Sequence, residues 1–203
     1  MQLRLIDLFA GIGGIRTGFE KAFGKNNVKC VMSSEWDKFA VKTYLANYPG
    51  EDVKGDITKI DEGDVPDHDI LMAGFPCQPF SQAGLKRGFN DARGTLFFDI
   101  LRILKKKKPK IVFLENVKRL KTHDGGKTLE VIKTSLSEIG YSNINIETLK
   151  ARDFGLPQNR ERVFIVCFRN NDTTFSFPKP LKNKTLVGDI LQPIVDEKYT
   201  ISD

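Results

Sequence analysis

The chain has 203 residues, of which 40% are hydrophobic and 29% are charged, with a mean hydropathy of −0.30. This composition excludes an intrinsically disordered chain, and no apolar run approaches the ~18 residues that a membrane span needs. The start of the chain also lacks the pattern of a signal peptide, so the sequence predicts a cytoplasmic protein. Because the three cysteines are widely spaced, they predict neither a disulfide framework nor a zinc site, and any special cysteine is expected to be a reactive thiol.

The net charge of +6 is unevenly distributed along the chain. Residues 1–100 carry 12 Lys and Arg against 14 Asp and Glu, whereas residues 101–203 carry 20 against 12. A basic half of this kind favours a polyanionic partner, because each neutralised phosphate releases counterions. Many basic proteins bind no nucleic acid, so charge alone indicates such a partner without establishing it.

Apolar β-branched runs alternate with segments of helical period, which predicts an α/β domain with a mostly parallel sheet and helices on both faces. Short buried strands are predicted at 3–9, 28–35, 69–75 and 110–117. Helices are predicted at 14–23, 36–48, 95–104 and 127–139. Two further strands, at 143–151 and 162–169, are predicted to pair antiparallel at the sheet edge.

The pattern weakens after Arg169, which predicts one domain over residues 1–169 followed by an exit connection over 170–203. The connection contains three prolines and one short apolar patch, LVGDILQPI, which is expected to pack on the domain. The lysine run 105–108 at a helix end is interpreted as a solvated face that the helix dipole favours, with a phosphate patch as the alternative.

Glycines in DLFAGIGG (7–14) lie directly between the first strand and the first helix, where a backbone turns tightly and a ligand can approach. A dinucleotide fingerprint needs glycine at position 16, which is Arg16, so a nucleoside without a pyrophosphate is favoured. Glu35 at the end of the second strand is placed to accept hydrogen bonds from both ribose hydroxyls, with Trp36 beside it. The structural alternatives are a plain turn, a surface carboxylate and a core aromatic, but their order and spacing together favour a nucleoside site.

The loop GFPCQPFSQAG (74–84) follows a buried strand at its carboxyl end, where α/β sheets place their chemistry. Cys77 lies between two prolines in this loop and is a candidate nucleophile; the alternative is a small buried hydrophobic residue. A free thiol is only a few per cent thiolate at pH 7, a cost of roughly 2 kcal/mol, so a nearby cation is expected to activate it. Cys30 and Cys167 lie inside predicted strands and are expected to be structural.

The ordered motifs DLFAGIGG, EWD, GFPCQPFSQAG, LENV and QNRERVF resemble those of the cytosine-5 DNA methyltransferases, which use S-adenosylmethionine. The resemblance covers residues 3–195 and implies a Rossmann-like sheet, a restriction-modification role and a double-stranded DNA substrate. In that family the target cytosine is flipped out of the duplex and attacked by the cysteine of the PCQ motif, which here is Cys77. The family needs no metal.

The resemblance also implies a role for each matching residue. Glu35 would bind the ribose, Trp36 would stack on the adenine, and Asp56 with Ile57 would contact the adenine edge. The implied cofactor-binding residues are Phe9, Gly11, Gly13, Gly14, Glu35, Trp36, Asp56, Ile57 and Leu96. The implied catalytic residues are Cys77, Glu115, Arg160 and Arg162.

These residue types fit the chemistry. Cytosine C5 is a poor nucleophile, and a covalent bond from Cys77 to C6 would make it reactive. Negative charge then builds at N3, where Glu115 would stabilise it as a protonated acid, while Arg162 would bind the carbonyl oxygen at C2. The alternatives are a turn-capping role for Glu115 and surface ion pairs for the arginines.

Family members usually continue into a region that reads the DNA sequence and a last motif that completes the methionine pocket, and neither follows Asp203. The alternatives are one chain of a split enzyme with a complementing subunit, a shortened piece of a longer enzyme, or a degenerate fragment; the intact catalytic residues favour the first two. The chain alone is expected to bind S-adenosylmethionine weakly and to methylate DNA poorly. A tRNA cytosine-5 methyltransferase and an inactive protein that binds nucleic acid remain alternative functions.

Overall fold

The computed structural model describes residues 2–76, 96–182 and 185–196, which are organised around a seven-stranded sheet. In chain order the strands are β1 (Leu3–Leu8), β2 (Val28–Ser34), β3 (Val53–Lys54), β4 (Ile70–Ala73), β5 (Ile111–Val117), β6 (Asn143–Lys150) and β7 (Glu161–Phe168). Their order across the sheet is β3-β2-β1-β4-β5-β7-β6. Strands β1 to β5 pair in parallel, and β7 pairs antiparallel with both β5 and β6.

The four helices of the described residues cover both faces of the sheet, as the sequence predicts. They are α1 (Gly14–Phe23), α2 (Lys38–Asn47), α3 (Leu96–Lys107) and α4 (Lys127–Glu138). Helices α3 and α4 pack their apolar stripes on one face, in a core that includes Ile6 and Leu8 of β1. Helix α1 packs on the opposite face, where Phe19 contacts a smaller cluster that contains Leu5. The alternation of buried residues along β1 therefore serves two cores.

The element bounds differ from the sequence predictions mainly at helix ends. Helix α2 begins at Lys38 because the Asp37 carboxylate caps it, accepting hydrogen bonds from the amides of Phe39 at 3.0 Å and Ala40 at 2.7 Å. Trp36 consequently lies before the helix. Helix α3 continues to Lys107, so three of the four lysines lie in its last turn, next to the negative end of the helix dipole. The sequence did not predict β3, which has only two residues.

The antiparallel pair at the sheet edge is confirmed, with β6 as the edge strand. The pairing of β7 with β5 places Glu115 opposite Phe164 and Val117 opposite Arg162. Directly opposed residues of an antiparallel pair project from the same face of the sheet. Residues at the end of β5 and the start of β7 are thereby brought together although more than 40 residues separate them in sequence.

The segment after β7 first packs back on the domain and then makes few contacts with it. The Phe175 ring packs 5.5 Å from the Phe168 ring, and the amide of Leu181 donates to the carbonyl of Asp153 at 2.8 Å. Beyond this point the patch LVGDILQPI does not pack on the described part of the domain, contrary to the sequence prediction, and its large apolar side chains are exposed. This apolar strip consists of Leu181, Leu186, Val187, Ile190, Leu191, Ile194 and Val195.

Within the described ranges, none of the helices has the length and hydropathy required to cross a membrane. The same ranges contain no group of three or more His, Cys, Asp or Glu side chains that could hold a metal ion.

Candidate functional site

The turn between β1 and α1 has the strained backbone that its glycines predict. Phe9, Gly11 and Gly13 all have positive φ, at 55°, 55° and 87°. A side chain at Gly13 is excluded twice, by this φ and because a Cβ there would lie 2.5 Å from Cε2 of Tyr48. Positive φ at a phenylalanine costs free energy, and such strain occurs mainly where the surrounding structure needs it for a site.

Glu35 ties the end of β2 to this glycine turn. Its Oε2 accepts a hydrogen bond from the amide of Gly11, and its Oε1 accepts from the amides of Trp36 and Asp37, each at 2.9 Å. A carboxylate has about four lone-pair positions, so Glu35 can accept further hydrogen bonds from a ligand. Trp36 is 80% exposed, which rules out the core-aromatic alternative and leaves its ring available for stacking.

Asp56 and Ile57 follow β3 and occupy a short helical turn. The Asp56 carboxylate accepts from the hydroxyl of Thr58 at 2.8 Å and from its amide at 3.0 Å, and these hydrogen bonds hold the pKa of Asp56 below its usual value. The Ile57 side chain is buried in the larger core. The residue as a whole is 3% exposed, and its carbonyl accepts from the amide of Ile60 at 3.2 Å. Leu96, the first residue of α3, is half-buried against the same core.

Arg102 of α3 binds the backbone of this turn, a contact that sequence reasoning missed. Its Nη2 and Nη1 donate to the carbonyls of Ile57 and Ile60, each at 2.7 Å, while its Nε contacts Asp99 at 2.9 Å. Charged donors make stronger hydrogen bonds than neutral ones. The sequence carried no signal for this tie, because Arg102 is 40 or more residues distant from the carbonyls that it binds.

Glu115 and Arg162 form an ion pair at the carboxyl end of β5, with Glu115 Oε1 2.8 Å from Arg162 Nε. Nη2 of Arg160 lies farther from the same oxygen, at 3.9 Å. The side chains of Glu115 and Arg162 are 20% and 22% exposed, so both remain accessible from solvent. Among the described residues, Arg162 also donates from Nη1 to the carbonyl of Glu161, which leaves Nη2 to donate to a substrate.

The segment after β4 leads into this pair. Glu115 Oε2 lies 3.5 Å from the place that a Cβ at Gly74 would occupy, so the backbone passes close to the carboxylate. Asn116, which is 2% exposed, donates from Nδ2 to the carbonyl of Phe75 at 2.9 Å and thereby anchors the same segment to β5. The only sequence signal for this contact was the polar residue Asn116 in the motif LENV, at the end of a predicted buried strand. Cys77 lies outside the described residues.

One open cavity of about 1050 Å³ joins the two halves of the predicted site. Its lining includes Phe9, Gly14, Glu115, Arg160 and Arg162. Phe9 and Gly14 of the glycine turn and the carboxylate Glu115, which lie about 100 residues apart in sequence, therefore share one cavity. Gly11, Gly13, Glu35, Trp36, Asp56, Ile57 and Leu96 do not line this cavity, although Glu35 is hydrogen-bonded to its glycine turn. The remaining walls are largely apolar and aromatic, with Phe19, Phe113 and Phe164 among them.

Comparison with known proteins places these features in one family. The family model "C-5 cytosine-specific DNA methylase" matches residues 3–203. The type II methyltransferase M.NlaX of Neisseria lactamica is 64% identical over 202 residues, covering all of this chain and 64% of that protein. M.HhaI of Haemophilus parahaemolyticus is 51% identical, covering 99% of this chain and 60% of that protein. The chain thus spans less than two thirds of the length of these relatives.

Solved structures agree on the fold. The methyltransferase EhMeth of Entamoeba histolytica superposes with a TM-score of 0.76 at 22% identity, covering all of this chain and 63% of that one. A DNA modification methyltransferase encoded within an Escherichia coli prophage gives a TM-score of 0.73 at 24% identity, covering 96% of this chain and 57% of that one.

Proposed function

The chain belongs to the C-5 cytosine-specific DNA methylase family, and from this premise we propose that it transfers a methyl group from S-adenosylmethionine to C5 of cytosine in double-stranded DNA, within a restriction-modification system in the cytoplasm. The observation that carries the proposal is the shared cavity, in which the strained glycine turn faces the Glu115–Arg162 ion pair. Without that juxtaposition a bound methyl donor and a bound base would not meet.

The residues of the cofactor site fit S-adenosylmethionine. The exposed Trp36 ring offers a face for the adenine, Glu35 has lone pairs for the ribose hydroxyls, and the glycine turn at the start of α1 offers backbone amides near the positive end of the helix dipole. Asp56 and the backbone of Ile57 are placed to contact the adenine edge, and Leu96 the amino-acid part. When bound, the cofactor supplies an electrophilic methyl group.

In the proposed mechanism the Cys77 thiolate forms a bond to C6 of a cytosine that has been flipped out of the duplex. The electron pair of the C5–C6 double bond moves toward C5 and N3. C5 would then form a bond to the donated methyl group as the bond from sulfur to that methyl group breaks, leaving S-adenosylhomocysteine. Proton loss from C5 to a base restores the double bond and expels the thiolate. The role of the protein is to stabilise the charge that develops on the ring.

Glu115 and Arg162 are suited to that role. Glu115 Oε1 is held by Arg162, so Oε2 is left to bind the base. As a carboxylic acid Glu115 would donate its proton to N3, and as a carboxylate it would accept from the exocyclic amine. The Nη2 amine of Arg162 can bind the oxygen at C2, and its positive charge favours the thiolate form of a nearby cysteine. Arg160, with its side chain 51% exposed, faces the same base from the open side of the cavity.

We propose further that residues 1–169 form the catalytic domain and that residues 170–203 connect it to a separate target-recognition part, supplied by the same or a complementing chain. The relatives have a further third or more of their length that these 203 residues do not cover. The apolar strip is suited to contact that part, since so many exposed apolar side chains in one segment indicate a protein interface. Phosphate contacts give affinity, but base contacts from the target-recognition part would give sequence specificity.

The proposal is tested by covalent trapping. Duplex DNA that contains 5-fluorocytosine is incubated with labelled S-adenosylmethionine and the chain, with and without the portion of M.NlaX that has no counterpart here. Fluorine cannot leave C5 as a proton does, so a working enzyme stays attached. We expect little adduct from the chain alone, a strong adduct in the mixture, and none from Cys77→Ser.

The matched control is Cys30→Ser, because Cys30 is buried in β2 and burial raises the pKa of its thiol. This variant should keep the adduct. Loss of the adduct in Cys30→Ser but not in Cys77→Ser would contradict the assignment of the nucleophile. An adduct that forms only on tRNA containing 5-fluorocytosine would show that the substrate is RNA and not DNA. The absence of an adduct in every mixture would show that the chain is an inactive fragment.

A further inference from the structure

Arg16 of α1 is a buried arginine that contacts a partner with each of its three guanidinium nitrogens. Nε contacts Glu20 at 2.8 Å, Nη1 donates to the Tyr44 hydroxyl at 2.9 Å, and Nη2 contacts Glu51 at 2.8 Å. Arg16 is only 7% exposed. Tyr44 lies on α2, and Glu51 follows that helix. Arg16 therefore links α1, which begins at the glycine turn, to α2.

Tyr48, at the end of α2, continues this contact to the glycine turn itself. The guanidinium carbon of Arg16 lies 3.8 Å from the centroid of the Tyr48 ring, within the range of a cation–π interaction. The Tyr48 hydroxyl lies 2.7 Å from the Thr17 hydroxyl and donates to the carbonyl of Gly13 at 3.4 Å. Thr17 in turn donates to the same carbonyl at 2.9 Å.

The turn is therefore held on two sides. From α2, Tyr48 holds the Gly13 carbonyl, and Asn47 Nδ2 donates to the Ile12 carbonyl at 2.9 Å. From β2, Glu35 holds the amide of Gly11. A Cβ at Gly13 would clash with the Tyr48 ring, so the ring packs directly against the turn. A site gains precision when the packing around it fixes the groups that touch the ligand.

Burying an arginine is costly unless every donor is paired, and an apolar side chain at this position would avoid that cost. The contacts made by Arg16 are instead specific in direction: they fix α2 relative to α1, and α2 fixes the carbonyls of the turn. We propose that Arg16 and Tyr48 are positioning residues that hold the glycine turn in the conformation that receives the methionine part of S-adenosylmethionine. This inference rests on the proposed function, because it assumes that the turn binds that cofactor.

The experiment compares two ligands that differ only in the amino-acid part. Trp36 is the single tryptophan of the chain and is exposed, so quenching of its fluorescence reports binding of adenosine and of S-adenosylhomocysteine. Tyr48→Phe keeps the ring under Arg16 but removes the hydroxyl that contacts Thr17 and Gly13. We expect the Kd for S-adenosylhomocysteine to rise about three- to tenfold, the effect of one or two lost hydrogen bonds, and the Kd for adenosine to change much less.

Arg16→Lys keeps the positive charge but loses the planar fork, and it should give a larger rise with the same preference between ligands. The matched control is Tyr141→Phe, which removes another buried tyrosine hydrogen bond, to the carbonyl of Pro109 at 2.7 Å. Tyr141→Phe should lose about as much stability as Tyr48→Phe, without any change in the Kd for either ligand.

If Tyr48→Phe weakens both ligands equally, or neither, while the unaltered chain binds S-adenosylhomocysteine, the positioning role is wrong and the cofactor site stands. An unaltered chain that binds neither ligand, alone or with the complementing portion of M.NlaX, would overturn the cofactor site and the positioning role together.

Discussion

At the scale of single residues, Asp7 is the most unusual side chain of the described structure. It lies at the end of β1, is 1% exposed, and neither carboxylate oxygen has a hydrogen-bond partner among the described residues. Burial raises its pKa to about 8, opposed by the charge of Arg16 and reinforced by that of Glu35. In the unfolded chain the same group has a pKa near 3.8. Between these values the unfolded chain releases a proton that the folded chain keeps, so the free energy of unfolding should fall as pH rises from about 4 to 8.

Asp7→Asn, which keeps the shape of the neutral acid, should remove this part of the pH dependence. Urea unfolding at pH 5 and pH 8 measures it: relative to the unaltered chain, the variant should gain stability at pH 8, by several kcal/mol at most. Asp64→Asn, at an exposed position, is the control and should change nothing. Equal pH dependence in all three proteins would show that Asp7 is ionised in the folded chain.

At the scale of elements, α3 supports the turn that carries Asp56, the proposed adenine contact, through Arg102. Arg102→Gln leaves the carbonyls of Ile57 and Ile60 without their charged donor, and it should destabilise the chain by about 1–3 kcal/mol. Because the turn that carries Asp56 loosens, the Kd for adenosine should rise severalfold, in contrast to Tyr48→Phe. The matched control is Arg169→Gln, which removes one exposed hydrogen bond to the Lys108 carbonyl. Its stability and its Kd for adenosine should stay near those of the unaltered chain. Fluorescence quenching and thermal unfolding measure both; an unchanged adenosine Kd in Arg102→Gln would contradict the supporting role.

At the scale of the whole molecule, we propose that the apolar strip is the surface through which these 203 residues contact a target-recognition part. Ile190 and Ile194 are 62% and 88% exposed. Changing both to Asp should leave the thermal stability of the chain almost unchanged, because they bury little here. It should reduce, by tenfold or more, the adduct yield that the remaining portion of M.NlaX restores, since charges would be buried at the interface.

Leu45→Lys, at an exposed position on α2, is the control for this double variant and should leave the complementation intact. Equal adduct yields from the double variant and the unaltered chain would show that the strip is not the contact surface.

Much of the fold could be predicted from the sequence because its signals are local. The alternation of apolar runs with helical segments predicts the parallel sheet, and strand and helix bounds fall within three residues of those observed. Where local signals fail, the reason is also local: β3 has only two residues, and the Asp37 cap starts α2 at Lys38, two residues after the predicted start.

The sequence by itself determined the family and supplied the candidate chemistry-bearing residues, because DLFAGIGG, EWD, GFPCQPFSQAG, LENV and QNRERVF are short contiguous motifs. Only the tertiary structure decided which of them touch. The register of β5 with β7 places Arg162 opposite Val117, two residues beyond Glu115 on the same face, where the two side chains form an ion pair. The packing of α2 on α1 encloses Arg16, and the position of β1 beneath α1 buries Asp7 without a hydrogen-bond partner among the described residues. Each of these contacts joins residues or elements that are distant in sequence, and their energies depend on burial and direction, which no contiguous pattern of residues records.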